Sequence, residues 1–103
     1  MSHSAEISFA ADHPAAQGHF PGNPIIPGAV LLDEVLGAIG AWAGSEAAFF
    51  EILSVKFLRP VRPGSRLTLR WDDGEGGQVK FQCLLAPDQP AASGTLRLGP
   101  ARR

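Results

Sequence analysis

The chain has 103 residues, of which 45% are hydrophobic and 18% charged, and its formal net charge at pH 7 is −1. This length predicts one domain over residues 1–103, whose small core favours oligomerisation. The near-neutral charge, with no basic cluster interleaved with aromatic residues, excludes a typical nucleic-acid-binding protein.

The predicted elements begin with a short strand over residues 6–10, where polar and apolar residues alternate. Pro14 ends this strand, because proline lacks a backbone donor and restricts the residue before it. Residues 14–27 hold four prolines and two glycines, which exclude regular structure. This segment is predicted to be a long ordered loop, and such loops in small domains usually carry function.

A helix is predicted from Pro27, at its first position, to about residue 43, with Gly44 beyond its end. Apolar residues occur on every side of this helix. A helix that is apolar all round is normally buried all round, so a sheet is expected to wrap it. Gly37 and Gly40 reduce helix propensity, and their expected role is close approach of the helix backbone to that sheet.

Four further strands are predicted after the helix, over residues 49–61, 66–71, 78–85 and 92–98. The run 73–77, Asp-Gly-Glu-Gly-Gly, predicts the turn between the second and third of them. The order of strand, helix and four antiparallel strands predicts an α+β fold, in which an antiparallel sheet surrounds one central helix.

Acid–base chemistry is indicated by His19 and Asp33. The proline- and glycine-rich loop holds His19 in a fixed position, as a general base requires, and imidazole exchanges protons near neutral pH. Asp33 lies in the apolar helix, where leucine neighbours are expected to favour its protonated, donating form. Glu34 is adjacent but points about 100° away, so it is expected to face the helix exit or a salt-bridge partner.

Two segments carry a family resemblance. The first comprises residues 18–33 and the second residues 55–64; their defining runs are His19-Phe20-Pro21-Gly22-Asn23-Pro24, Pro27-Gly28 and Lys56-Phe57-Leu58-Arg59-Pro60-Val61. Asp33 follows His19 by fourteen positions. This pattern resembles the 3-hydroxyacyl-acyl carrier protein dehydratases of the hotdog fold, which act in fatty-acid synthesis, including short members from aryl-polyene gene clusters.

The resemblance implies the elimination of water from a 3-hydroxyacyl thioester to give a trans-2-enoyl thioester. His19 would remove the proton next to the thioester carbonyl, and Asp33 would protonate the departing hydroxyl. The backbone N–H of Gly28, at the positive end of the helix dipole, would polarise the carbonyl. Phe20, Pro27 and Leu32 are the further residues expected to contact substrate.

The expected partners are an acyl carrier protein or coenzyme A as the thiol carrier, and a second copy of the chain. The resemblance implies a homodimer whose two sites each combine His19 of one subunit with Asp33 of the other. Arg59 and Arg62 are expected to flank the entrances and to meet an acidic carrier protein. No cofactor or metal is expected, because the sequence has no metal-ligand spacing and no dinucleotide or phosphate-binding motif.

Cys83 is the one cysteine, which excludes an internal disulfide, and its apolar neighbours predict a buried structural thiol. With no signal-peptide pattern and no apolar run near 20 residues, a cytoplasmic protein without a membrane span is expected.

One departure from the family pattern keeps two alternatives open. Gly37 stands where many members carry a glutamine that supports the acid. A hotdog acyl thioesterase, which uses a helix acid to activate water, is the first alternative. A non-catalytic hotdog subunit that binds acyl chains or completes a heterodimer is the second.

Overall fold

A computed structural model describes residues 2–14, 24–44 and 49–99, with no side-chain detail for residues 49 and 50. The elements in chain order are β1 (Ser2–Ser8), α1 (Gly28–Ala43), β2 (Phe49–Phe57), β3 (Arg66–Asp73), β4 (Gln78–Ala86) and β5 (Gln89–Gly99). The helix ends at Ala43 as predicted and begins one residue after the predicted Pro27, and every predicted strand is present.

Three strand boundaries differ from those predicted by three residues or more. β1 begins at Ser2 instead of residue 6, because Ser2 to Ser8 pair without interruption with β3. β2 ends at Phe57, since the amides of Leu58 and Arg59 both donate to the carbonyl of Ala91, which closes the ladder. β5 begins before residue 92, at Gln89, where the chain has just turned back from β4.

The five strands form one antiparallel sheet in the order β1-β3-β4-β5-β2. β3, β4 and β5 are joined by consecutive hairpins, while β1 and β2 lie at the two edges. In the first hairpin, Gly77 has a φ of 75°, and a Cβ there would stand 2.5 Å from the carbonyl oxygen of Leu98. The predicted glycine turn is therefore needed for both conformation and space.

The core lies between one face of the sheet and one stripe of α1. Leu31, Val35 and Ile39, spaced four residues apart, are the buried residues of the helix. They join buried side chains that the sheet directs toward them: Leu67, Leu69, Trp71, Val79, Phe81, Cys83 and Leu96. Cys83 is fully buried, and this burial raises the pKa of its thiol to about 12, as expected of a structural cysteine.

α1 is not buried on all sides, so that expectation is wrong for the single chain. Asp33, Gly37 and Ala41 lie on the side away from the sheet and are exposed. The sheet covers only one side of a helix whose successive residues are 100° apart. The expected close approach of Gly37 to the sheet is also wrong, because no atom lies within 4 Å of the position its Cβ would occupy.

Replacing Gly37 by alanine should therefore stabilise the protein by ~0.5–1 kcal/mol, because alanine loses less backbone entropy than glycine on folding. Urea unfolding followed by circular dichroism measures the change. Gly77→Ala provides the contrast and should destabilise, since its Cβ would meet the Leu98 carbonyl. A destabilised Gly37→Ala variant would show that this helix face packs closely against another molecule in solution.

The start of β1 is attached to the end of α1 by an aromatic cluster. The His3 ring centroid lies 4.4 Å from that of Trp42 and 5.6 Å from that of Trp71. His3 Nε2 lies 2.7 Å from Asp73 Oδ1, and this hydrogen bond lowers the pKa of the Asp73 carboxyl. These contacts give His3 a structural role in joining an edge strand to the helix.

Candidate active site

Of the predicted site residues that the structure describes, four lie at the start of α1 and two follow β2: Pro27, Gly28, Leu32 and Asp33, and then Arg59 and Arg62. His19 and Phe20 lie outside the described residues, so their proposed roles stay predictions. Gly28 is the first helical residue, and Asp33 follows one and a half turns later. Pro27 is the N-cap instead of the first helical residue, so the helix begins one position later than predicted.

The helix start presents backbone donors. The amides of Val30 and Leu31 both donate to the carbonyl of Pro27, at 3.0 and 3.2 Å, which forms the first turn. The N–H groups of Gly28 and Ala29 precede these bonds and have no acceptor within the helix. Among the described residues, no side chain caps them. They lie at the positive end of the helix dipole, where a polarised carbonyl oxygen is favoured.

An apolar cavity of about 440 Å³ opens beside these donors. Its lining comes from the segment before α1, the start of α1, the end of β2 and the segment that follows β2: Ile25, Ile26, Gly28, Leu31, Phe57, Leu58, Arg59, Pro60 and Val61. The amide of Ile26 donates to the carbonyl of Val61 at 2.7 Å, and the amide of Leu58 donates to the carbonyl of Ala91 at 2.8 Å. These backbone hydrogen bonds hold the two non-helical segments in place. The cavity is thus built on fixed backbone and can accept an apolar chain.

Phe57 belongs to this site and was not predicted to. Its ring covers the helix start so closely that a Cβ on Gly28 would lie 2.8 Å from the Phe57 Cζ atom. The side chain is nevertheless 54% exposed, which is unusual for phenylalanine. Phe57 lies in the second family-like segment, and this position was the feature of the sequence that could have indicated a role in the site. The sequence did not indicate that the Phe57 ring contacts Gly28.

Leu32 and the two acids follow Gly28 on the helix. Leu32 is partly buried and packs against the core. Asp33 and Glu34 are both exposed, so the expected apolar burial of Asp33 is wrong for the single chain. Asp33 lies about 200° around the helix from buried Leu31, which places it on the side away from the sheet. Glu34 makes no ion pair within the described ranges, so its predicted salt bridge is absent there.

The two arginines differ in their relation to the cavity. Arg59 is exposed, lines the cavity and donates from Nη1 to the carbonyl of Pro90 at 2.9 Å. Arg62 is exposed and does not line it. Across the described parts of the chain, no three His, Cys, Asp or Glu side chains are grouped as a metal site would need. No helix in those same parts has the length and apolarity that crossing a bilayer requires.

The contact between Gly28 and Phe57 gives a testable prediction. Gly28→Ala should displace the Phe57 ring into the cavity and lower kcat/KM for an acyl thioester about tenfold or more, since small misplacements near reacting groups are costly. The global stability should change little, because the ring is exposed and can rotate. Adding Phe57→Leu to Gly28→Ala should recover part of the loss in steady-state assays. Full activity of Gly28→Ala alone would show that substrate does not approach this helix start.

Comparison with known proteins assigns the fold and the family. Residues 1–95 match the model of the ApeI-like family, described as ApeI dehydratase. A 3-hydroxyacyl-[acyl-carrier-protein] dehydratase, FabZ of Chlamydia trachomatis, is 32% identical over 105 aligned residues, which cover 89% of this chain and 68% of that protein. Across the relatives compared, the aligned part spans between 43% and 68% of the relative's length.

Solved structures agree with this assignment. The dehydratase heterocomplex ApeI:P from Xenorhabdus doucetiae has a chain with a TM-score of 0.79 and 26% identity, covering 95% of this chain and 87% of that one. An acyl-CoA hydrolase from Staphylococcus aureus has a TM-score of 0.68 and 17% identity, and the match covers 98% of this chain and 63% of the hydrolase chain. At this identity the similarity shows only that the two proteins share a fold. The predicted hotdog fold is confirmed, and the chain belongs to the ApeI-like dehydratase family.

Proposed function

We propose that this protein is a 3-hydroxyacyl-thioester dehydratase, which eliminates water to give a trans-2-enoyl thioester. The observation that carries this proposal is the apolar cavity that meets the free amides of α1 at Gly28, one and a half turns before Asp33. Membership in a dehydratase family and similarity to 3-hydroxyacyl-[acyl-carrier-protein] dehydratases support the same reaction.

In this mechanism the acyl chain lies along the cavity and the thioester carbonyl accepts from the Gly28 amide. His19 removes a proton from the carbon next to that carbonyl, and the developing negative charge on the carbonyl oxygen is stabilised by the helix start. The electron pair forms the new double bond as the C–O bond of the 3-hydroxyl breaks. Asp33 supplies the proton with which the hydroxyl leaves as water, and proton transfer from His19 to Asp33 then restores both groups.

We further propose that the site is completed by a second subunit. β2 is an edge strand, and several of the large exposed apolar side chains belong to it or directly follow it: Ile52, Leu53, Phe57 and Leu58. An exposed apolar edge strand favours pairing with another strand. A homodimer formed through β2 would cover these side chains and, in the shared-site arrangement, would bring His19 of one subunit to Asp33 of the other.

Mixing two inactive variants tests the shared site. His19→Ala and Asp33→Asn homodimers should each be inactive, while a mixed dimer should regain one intact site of its two. Activity measured after subunit exchange, with exchange verified by mass spectrometry of differently tagged chains, should rise to as much as half that of wild type per mixed dimer. No recovery after verified exchange would place both groups in one subunit.

The reaction itself is tested with a 3-hydroxyacyl carrier protein as substrate. Dehydration lowers the mass of the acyl group by one water, whereas a thioesterase releases a free thiol that a thiol reagent detects. Loss of water without thiol release is the expected result. Thiol release alone would support the thioesterase instead, and no turnover across chain lengths by a folded dimer would support a non-catalytic subunit.

The proposed thiol carrier is an acyl carrier protein, and the proposed location is the cytoplasm, where fatty-acid synthesis supplies that carrier. Arg59, which lines the cavity, and the exposed Arg62 are the proposed docking residues. Because both are exposed, their substitution by glutamine should affect association with the carrier more than the chemical step. Comparing kcat/KM for carrier-linked and coenzyme A-linked substrates distinguishes an effect on carrier association from an effect on the chemical step.

A further inference from the structure

The outer face of the sheet, which points away from α1, carries a wide polar groove of about 760 Å³. Two cross-strand rows form it. The first row is Ser4, Arg70, Gln82, Ser93 and Lys56, and the second is Ser2, Asp72, Lys80, Thr95 and Ser54. Residues in each row are register partners on neighbouring strands, so the groove runs across all five strands.

Three cations in this groove lack acidic partners. Lys56, Arg70 and Lys80 are exposed and make no ion pair anywhere in the described ranges. Two other arginines on the same face are neutralised, because Arg66 contacts Glu6 at 3.5 Å and Arg97 contacts Glu51 at 2.9 Å. The positive charge of this face is therefore concentrated in its central rows.

The acid within the groove is already engaged. The carboxylate of Asp72 accepts a hydrogen bond from the hydroxyl of Ser2, and no ion pair joins it to Lys80, its register partner. The remaining neighbours of the three cations in the two rows are neutral hydroxyl and amide side chains. Two net positive charges thus lie on one face of a chain whose formal net charge is −1.

The three cations are spread along the groove, so that an elongated partner can contact all of them. Arg70 and Lys80 are diagonal neighbours on adjacent strands, about 8 Å apart. Lys56 lies about 14 Å from Arg70, because three strand spacings of about 4.8 Å separate β3 from β2. In a helix, the carboxylates at positions i+4 and i+8 lie about 6 and 12 Å along the axis from the carboxylate at position i. The long side chains of the three cations can reach carboxylates at these spacings.

We propose that this groove is a docking surface for an acidic helix of another protein, which lies across the strands and presents successive carboxylates to Arg70, Lys80 and Lys56. The surface is separate from the acyl cavity, because it occupies the opposite face of the sheet. The hydroxyl groups of Ser93 and Thr95 supply hydrogen bonds between the charged contacts. A small phosphate-bearing ligand is disfavoured, since the cations are spread along the groove instead of converging on one point.

A designed helical peptide of sixteen residues, labelled at its N-terminus, serves as the probe. One version carries glutamates at i, i+4 and i+8 on one face, and a second version of identical composition distributes them around the helix. Fluorescence anisotropy with the 103-residue chain measures binding. The one-face peptide should bind at least threefold more tightly, and its affinity should fall with added salt.

Substitutions then locate the contact. Lys80→Gln and Arg70→Gln should each weaken binding of the one-face peptide severalfold, whereas Arg66→Gln, on the same strand and face as Arg70 but ion-paired with Glu6, should not. Amide shifts of Gln82 and Thr95 in NMR titrations should follow the binding. Equal loss in all three variants, equal binding of both peptides, or displacement by pyrophosphate with no peptide discrimination would each overturn the proposal.

Discussion

Replacing His19 by alanine is expected to lower the rate of dehydration by about 10²–10⁴-fold, the usual contribution of a general base. His19 belongs to the segment from residue 14 to 27, which precedes α1 in the sequence and whose four prolines restrict the backbone. Single-turnover assays with a 3-hydroxyacyl carrier protein measure the chemical step directly. Circular dichroism and dimer formation should remain those of wild type.

His13→Ala is the matched control for this change. His13 lies just before the same loop, but its ring packs against Phe9 at a centroid distance of 5.6 Å, as a structural side chain does. The control should therefore keep a near-normal rate. Near-normal turnover by His19→Ala would remove His19 from the mechanism and leave the family assignment unaffected.

The second large effect is expected at Asp33. Asp33→Asn keeps the size and hydrogen-bonding capacity of the side chain but removes its transferable proton, so dehydration should fall by orders of magnitude. Because Asp33 is exposed in the single chain, the free energy of unfolding should change by less than ~0.5 kcal/mol, as for most surface substitutions. Steady-state kinetics and urea unfolding on the same preparation measure both quantities.

Glu34→Gln is the control that distinguishes the two adjacent acids. Glu34 is also exposed but points about 100° away from Asp33, so its substitution should have a mild effect on rate. An inactive Glu34→Gln variant with an active Asp33→Asn variant would reverse the assignment of the acid.

The elements of this fold were predictable because their signals are local. The ends of α1 follow from Pro27 and Gly44, and the turn before β4 follows from its glycines, so neighbouring residues alone determine them. The hotdog arrangement could then be predicted from the order of the elements together with the two family-like segments. The boundaries that differed, such as the early start of β1, depend on a strand 64 residues later, from which Ser2 to Ser8 take their register.

The candidate site was only partly predictable. Its residue types and spacing were recognisable in the sequence, which pointed to Gly28 and Asp33 before their positions were known. The hydrophobicity of α1 does not show which of its sides the sheet covers, so the exposure of Asp33 could not be predicted from it. The contact of Phe57 with Gly28 joins residues 29 positions apart and depends on how β2 passes the helix start, which no local pattern encodes.

Because the strand order is β1-β3-β4-β5-β2, the strands are synthesised in one order and pair in another. β1, α1 and β2 leave the ribosome before any strand that pairs with either edge. β1 can pair only when β3 has emerged, and β2 only when β5, the last element, is complete. The apolar strand β2 therefore stays unpaired while β3, β4 and β5 are synthesised, and the sheet acquires both of its boundaries only once β5 has emerged.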